Sequence, residues 1–409
     1  MSKNKAEKVS QKSAAEFFSE HQQIAGFDNA GKSLYTTIRE LVENSLDASE
    51  SIQVLPDIKV FIVEFNEEEH NMRHNIKHYD KKKKIETDDM IDNPTTATIK
   101  KKTTKATETP KQINYYDIIC KDNGCGIPPD KIGDMLGRVL SGSKHGCRQT
   151  RGKFGLGAKM ALIWSKKSSG LPITVRTAHS ITPGVFSSKI TTIVLDIDIH
   201  RNEPRIISRT EEANTERWRG CEIKVTISGA FSSYRSRVLM YFQQLAVITP
   251  YARLELDFKC SKDDKKNFTA DFSSRSQQMP PLSKEIPPHP RSLDHINLSR
   301  MLKETKEGSL AKFLVKDLTG VSPLIAKQLV SAIGEEKTNM SSTKVTALRQ
   351  SLRDEKNIKP PPSSCLSPAG EYNMRLGVLK ELRPRLVATF TDKPGAHEGH
   401  PFLVGNTPF

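Results

Sequence analysis

Three short runs hold the residues whose types and spacing suit chemistry. The first is Arg39 to Ala48, R-E-L-V-E-N-S-L-D-A. On a helix, Glu40 and Asn44 lie four apart and project from one face, while Leu41 and Val42 point elsewhere, into a core. A carboxylate beside an amide oxygen suits activation of a water and ligation of a hard cation. The polar side of an ordinary amphipathic helix would look the same. The second run is Asp122-Asn123-Gly124-Cys125-Gly126, directly after a strand-like stretch. Its glycines permit a tight turn and close backbone approach. A buried aspartate there accepts a hydrogen bond from an exocyclic amine such as that of adenine; a plain Asp/Asn-Gly turn is the blander reading. The third is Ser141 to Lys159, S-G-S-K-H-G-C-R-Q-T-R-G-K-F-G-L-G-A-K. Backbone amides of a loop containing Gly152, Gly155 and Gly157, followed by a helix N-terminus, suit a polyphosphate, with Lys144, Lys153 and Lys159 as countercharge. The glycine order matches neither the Walker A nor the dinucleotide pattern, and a flexible surface loop would read alike.

These runs need elements to hold them. Leu34, Ile38, Leu41, Val42 and Ser45 recur at helical spacing, which predicts a helix over 32–49. Ile58 to Phe65 and Tyr115 to Cys120 read as strands, residues 131–140 and 158–166 as helices, and 141–157 as a loop. Strands are predicted at 172–179, 188–200, 204–209, 221–227 and 252–258, with a helix near 232–247. The result is an α+β domain. A Pro/Ser-rich stretch follows. Residues 295–357 then read as wholly helical, with Ser322-Pro323 opening a helix that stops at Gly334. The proline-rich run I-K-P-P-P-S-S-C-L-S-P precedes a last unit with a strand-like Arg385 to Phe390. The divisions are 1–26 (an arm with a short helix), 27–270, 271–292 (linker), 293–357 and 358–409. Within the second, 66–112 carries Lys81 to Lys84 and Lys100 to Lys102 with few large apolar groups. It is expected to be a disordered basic insertion, either a solvated linker or a nuclear-import or nucleic-acid patch.

Composition narrows the function classes. The chain has 409 residues, 36% hydrophobic and 27% charged, and a formal net charge of +15. That favours polyanionic partners. There is no apolar run long enough to span a membrane and no apolar segment after the basic N-terminus to act as a secretory signal. Six scattered cysteines without a C-x-x-C argue against a disulfide framework or zinc ribbon.

Taken together and in order, the three runs resemble the ATP-binding motifs of the gyrase B, heat-shock chaperone, histidine kinase and MutL superfamily. The stretch from 12 to 48, KSAAEFFSEHQQIAGFDNAGKSLYTTIRELVENSLDA, is similar to the N-terminal signature of the DNA topoisomerase VI B-subunit family, as is GRVLSGSKHGCRQTRGKFGLGAKMALIWS at 137–165. Residues 295–357 resemble that family's helix-two-turns-helix domain, and CLSPAGEYNMRLGVLKEL at 365–382 the start of its transducer domain. The resemblance implies a Bergerat-type ATPase sandwich (a mixed β-sheet with helices on one face), then the all-α domain and the beginning of an α/β transducer.

It also implies roles. Glu40 would be the general base, Asn44 the ligand of Mg²⁺, and Asp122 the reader of the adenine amine, with Gly124 and Gly126 shaping its turn. Ser143, Lys144, Gly152, Lys153, Phe154, Gly155, Leu156, Gly157, Ala158 and Lys159 would close over the triphosphate of ATP. The implied partners are double-stranded DNA, a second copy of the B subunit joined on ATP binding, and a DNA-cleaving A subunit resembling the meiotic break protein, in an A2B2 heterotetramer in the nucleus. Two departures stand out. Gly220-Cys221 replaces the superfamily's usual Gly-Thr, which leaves a hydroxyl near the adenine without a source. The sequence also stops at Phe409, before the transducer lysine that would reach the γ-phosphate. The chain is therefore expected to be a fragment, a truncated isoform or a faulty gene model, and the alternative is a non-hydrolysing scaffold that binds nucleotide or DNA. A mismatch-repair clamp on the same ATP fold fits less well, because of the helical block and the match at 12–30.

Overall fold

The computed structural model describes residues 11–74, 113–141, 146–152, 155–334 and 338–389. The disorder expected over 75–112 and the site residues Ser143, Lys144, Lys153 and Phe154 lie outside them.

The element that organises the first domain is α2 (Ala30–Glu50). Asn29 caps it by accepting from the Lys32 amide at 2.9 Å. Leu34, Ile38, Leu41, Val42 and Leu46 are all buried on one side. They pack on an eight-stranded sheet of order β5-β4-β3-β6-β2-β1-β7-β8. Its strands are β1 (Asp57–Asn66), β2 (Asn114–Lys121), β3 (Ile173–Ala178), β4 (Lys189–Asp198), β5 (Glu203–Ala213), β6 (Gly220–Gly229), β7 (Arg253–Cys260) and β8 (Phe268–Phe272). Every pairing is antiparallel except β1 with β7, so the sheet is mixed.

Period-two burial places the core. In β1, Ile58, Val60 and Ile62 are buried and alternate with less buried Lys59 and Phe61. The helices α2, α5 (Gly157–Ser168) and α6 (Phe231–Ile248) cover that side. The other side carries ion pairs: Lys59 to Glu255 at 3.1 Å and Lys224 to Asp117 at 2.9 Å. Each fully buried Leu or Ile in this layer contributes about 1.5–3 kcal/mol. At the start of the described chain, α1 (Ala14–Glu20) docks on α5, where Lys167 donates to the Ser19 carbonyl at 2.6 Å.

Several expectations are corrected. Residues Glu67–Arg73, placed in the disordered insertion, form a helix, α3. Asn66 caps it by accepting from the Glu69 amide at 2.9 Å, and Glu67, Glu68 and Glu69 fill its first turn, where the helix dipole favours negative charge. The helix predicted over 131–140 is shorter, α4 (Ile132–Gly137). The strand β8 runs past residue 270 into the expected linker, because Phe268 and Phe272 stack on Phe258 and Phe242.

Four helices follow: α7 (His295–Glu304), α8 (Leu310–Lys316), α9 (Pro323–Ile333) and α10 (Ser342–Asp354). They close on their own core, which includes Leu298, Phe313, Leu314, Leu348 and Leu352. Gly334 ends α9 at φ 65°, as the sequence predicts. The last described elements are α11 (Glu371–Gly377) and a π-helical turn, Val378–Leu382, which lie against α6. No strand forms over 385–389. Leu386 is exposed there, and among the described residues no neighbouring strand pairs with this stretch.

Candidate functional site

One cleft of about 1530 Å³ opens beside α2. Its lining brings together Glu40, Asn44, Asp122, Gly126, Gly152, Gly155, Leu156, Gly157, Ala158 and Lys159 from the predicted set. Gly124 does not line it. This residue lies under α2, where an added Cβ would come within 2.7 Å of Ala48 Cβ.

Asp122 directly follows β2 and is buried at the floor of the cleft. Its Oδ1 accepts from the amides of Gly124 at 2.9 Å and Cys221 at 3.0 Å, and its Oδ2 from the Ser45 hydroxyl at 3.0 Å. Burial nevertheless pushes its carboxyl up to about 6, against the pull of those three donors. The turn that follows is closed by glycines. Gly126 has φ +66°, and a Cβ there would lie 2.8 Å from the Gly220 carbonyl oxygen. Gly220 has φ +136°, and a Cβ there would strike the Asp122 carbonyl, whose carbon it would approach to 2.7 Å. Cys221 contributes its backbone amide, and its partner across the sheet, Thr177, supplies a hydroxyl to the same turn, accepting from the Ile127 amide at 2.9 Å. The hydroxyl on Asp122 itself comes from α2, as Ser45.

Glu40 sits farther along α2, near the start of α5. Arg39 donates to its Oε1 at 2.8 Å. A Cβ on Gly157 would overlap the Glu40 carboxylate and lie 2.8 Å from Cγ, so glycine lets the first turn of α5 sit this close with the Glu40 carboxylate in its present place. The N-terminus of α5 brings a partial positive charge and free amides to the same end of the cleft. Asn44, one turn along, is half-buried in the cleft wall. Lys159 is 3% exposed; its ammonium donates to the carbonyl and, at 3.2 Å, the hydroxyl of Ser141. Burial lowers it to about 8. Gly155, at φ +61°, closes on the same Ser141 carbonyl.

Sequence reasoning missed the braces of this site. Arg151 is bidentate to Glu50, at 2.6 and 2.8 Å, and reaches Asp47 at 3.0 Å; Tyr251 donates to Glu50 at 2.7 Å. Asp47 and Glu50, three apart on one helix face, were a signal for such a clamp. The Trp218 indole donates to the Asp122 carbonyl at 3.1 Å, while Lys121 and Arg176 lie over its ring. No local pattern announces that contact.

The chain is similar to known proteins over nearly its whole length. The family model for the histidine kinase-, DNA gyrase B- and HSP90-like ATPase matches residues 85–222, and that for the topoisomerase VI B subunit transducer matches 361–407. The DNA topoisomerase 6 B subunit of Arabidopsis thaliana is 41% identical over 97% of this chain, which covers 62% of that protein. The protein of that name from Oryza sativa subsp. japonica is 42% identical over 97% of this chain, with 60% of its length covered. The type 2 DNA topoisomerase 6 B subunit of Saccharolobus shibatae is 32% identical over 97%, with 66% covered. The chain thus spans about three fifths of the length of its plant relatives. A mixed sheet with its main helices α2, α5 and α6 on one side and the short α3 on the other, together with this degree of identity over nearly the whole chain, places the chain in the family of topoisomerase VI B subunits.

Proposed function

We propose that this chain is the nucleotide-operated part of a topoisomerase VI B subunit, and that it binds and hydrolyses ATP to drive a dimeric clamp. One observation carries the reading: Asp122 and Glu40 line one cleft along the same helix, with the start of α5 against Glu40. Asp122 accepts the adenine amine at the floor. The amides of Gly152 and of 155–158 and the Lys159 ammonium take the phosphates. Among the described residues the Lys159 ammonium is held by the neutral oxygens of Ser141, and a buried ammonium so placed gains from an arriving anion. Glu40 orients a water and takes its proton as it attacks the γ-phosphorus.

The donor set also fits Mg²⁺. Among the described residues there is no cluster of three or more metal-ligating side chains. A single amide oxygen from Asn44 suits an ion held mostly by phosphates and water. That ion would neutralise charge on the phosphates.

By likeness to its relatives, the clamp would close when two B subunits pair on ATP binding, and strand passage would use a separate A subunit that cuts duplex DNA, in an A2B2 assembly. The net charge of +15 supports a DNA-handling role. A nuclear location rests on the lysine clusters at 81–84 and 100–102. Scaffolding without hydrolysis gains no support from a cleft that retains the candidate base.

The test separates binding from turnover. Glu40→Gln is expected to bind a non-hydrolysable ATP analogue like the parent and to lose turnover by about 10²-fold or more. Asp122→Ala is expected to lose binding. Parental turnover in Glu40→Gln overturns the assignment of the base, and parental binding in Asp122→Ala overturns the adenine site.

A further inference from the structure

The cleft has one wall that its chemistry does not explain. Residues 366–369 and 280–283 line it together with 148–152, although the three stretches are far apart in sequence. They meet at Gln149. The Gln149 amide donates to the Cys365 carbonyl at 2.8 Å, and its Oε1 accepts from the Ser367 amide at 2.8 Å. Its carbonyl accepts from the Ser283 hydroxyl at 2.9 Å. Two flanking bonds complete the junction: Lys284 amide to Ser364 carbonyl at 2.7 Å, and Ile286 amide to Cys147 carbonyl at 3.2 Å.

The strap over 363–369 buries little surface; Pro362, Ser363, Ser364, Leu366 and Pro368 are exposed. Hydrogen bonds rather than a core therefore hold it, which is the property of a segment that moves cheaply. It leads directly into α11, which is firmly seated. Asn373 is buried and donates to the Gln278 carbonyl at 2.8 Å, and Gly377 lies against the Val247 backbone of α6. At its other end, the loop carrying Gln149 is clamped to α2 through Arg151, Asp47 and Glu50.

We propose that Gln149 is a positioning residue that latches the strap onto the nucleotide cleft, so that occupancy of the cleft sets the position of this first segment of the transducer-matched region. The inference rests on the nucleotide reading given above. The latch makes the strap part of the cleft wall, and a ligand that favours the latched wall is favoured by it equally, since coupling between two sites is reciprocal. The side chain contributes one bond, to Ser367. Its loss should shift the latched equilibrium by roughly 2- to 10-fold, the range for one net hydrogen bond.

The test is hydrogen–deuterium exchange from milliseconds to minutes on the whole chain, with and without a non-hydrolysable ATP analogue and Mg²⁺. Peptides covering 363–382 and the Asp122 turn are followed in the parent, Gln149→Leu and Gln149→Glu, the last retaining an acceptor for Ser367. In the parent and Gln149→Glu, the analogue is expected to slow exchange in both regions. In Gln149→Leu, the strap should exchange roughly 2- to 10-fold faster without ligand. Its response to the analogue should be weakened, because the backbone bonds of the junction remain, while the Asp122 turn is still protected. An unchanged strap response in Gln149→Leu overturns the latch. So does a parent whose Asp122 turn responds while the strap does not. A parent in which neither region responds overturns the nucleotide reading itself, and the latch with it.

Discussion

Replacing Gly157 by alanine tests whether the carboxylate of Glu40 must sit where the structure puts it. The backbone tolerates the change, since Gly157 lies in helix α5 without a positive φ. Alanine is also the better helix former by about 1 kcal/mol. The new methyl, however, would lie 2.8 Å from Glu40 Cγ and overlap the carboxylate. Ordinary carbon contacts begin at about 3.5 Å, so Cγ must give by roughly 0.7 Å and the carboxylate by more. A flexible side chain yields at little energetic cost, so the fold should survive with its melting temperature unchanged or slightly raised. A misplacement of about 1 Å at a catalytic group costs about 10²-fold in rate. The expected result is therefore kcat lowered about 10²-fold with nucleotide affinity within about threefold of the parent. The assay is steady-state ATP turnover at saturating Mg²⁺-ATP, with calorimetric or fluorescence titration of a non-hydrolysable analogue. The double variant Glu40→Gln/Gly157→Ala should be no slower than Glu40→Gln alone, because the methyl acts only through the carboxylate. Turnover within threefold of the parent in Gly157→Ala, or additive losses in the double variant, would refute the reasoning.

Further outcomes follow from the same geometry. Asp122 is raised to about 6 in the free protein, and an adenine amine favours its charged form, so adenine-nucleotide affinity should fall as pH drops below about 6, by up to about tenfold per unit. Asp122→Asn should flatten that profile. For folding the sign is opposite: the Asp122 contribution is fully present below its ordinary value of 3.8 and is lost as pH rises through about 6, readable by urea titration across that window. Lys159 is lowered to about 8, so triphosphate affinity should weaken above that pH, and Lys159→Met should weaken triphosphate binding about tenfold in a titration while leaving adenosine binding unchanged. Gly220→Ala should destabilise by at least about 2 kcal/mol in thermal unfolding, because both its φ of +136° and the Asp122 backbone oppose a Cβ. Arg151→Ala should cost about 1–3 kcal/mol in urea unfolding, since it removes the guanidinium that Glu50 and Asp47 share; the partial exposure of the pair keeps the figure below that of a fully buried one.

Much of the fold was legible because its signals are local. The buried stripe of α2 follows from Leu34, Ile38, Leu41, Val42 and Leu46 at helical spacing, and α9 starts and stops at its Ser-Pro and Gly signals. The strand β8 and helix α3 were missed for different reasons. Five alternating residues are too few to separate a strand from a loop, and Phe268 and Phe272 become strand residues only by stacking on Phe258 and Phe242. The helix α3 is hidden in a polar stretch whose composition suggests disorder, and its Asn66 cap and acidic first turn are weak signals beside that composition. A strand over Arg385 to Phe390 was read from apolar residues alone, but a strand needs a neighbour to take its backbone hydrogen bonds.

Within the candidate site the same division holds. Residue types and spacing alone determined that Glu40 and Asn44 share a helix face, that Asp122 opens a glycine turn, and that a glycine-rich loop runs into a helix, because each is a statement about neighbours along the chain. Only the tertiary structure decided which distant groups meet. Ser45 and the Cys221 amide converge on Asp122 across 77 and 99 positions of sequence. Arg151 ties its loop to α2 across 101, and Gln149 joins the strap across 218. Such contacts are specified by sheet register and helix packing, which no local pattern encodes. They settle how tightly each predicted residue is held, and therefore what chemistry it is positioned to perform.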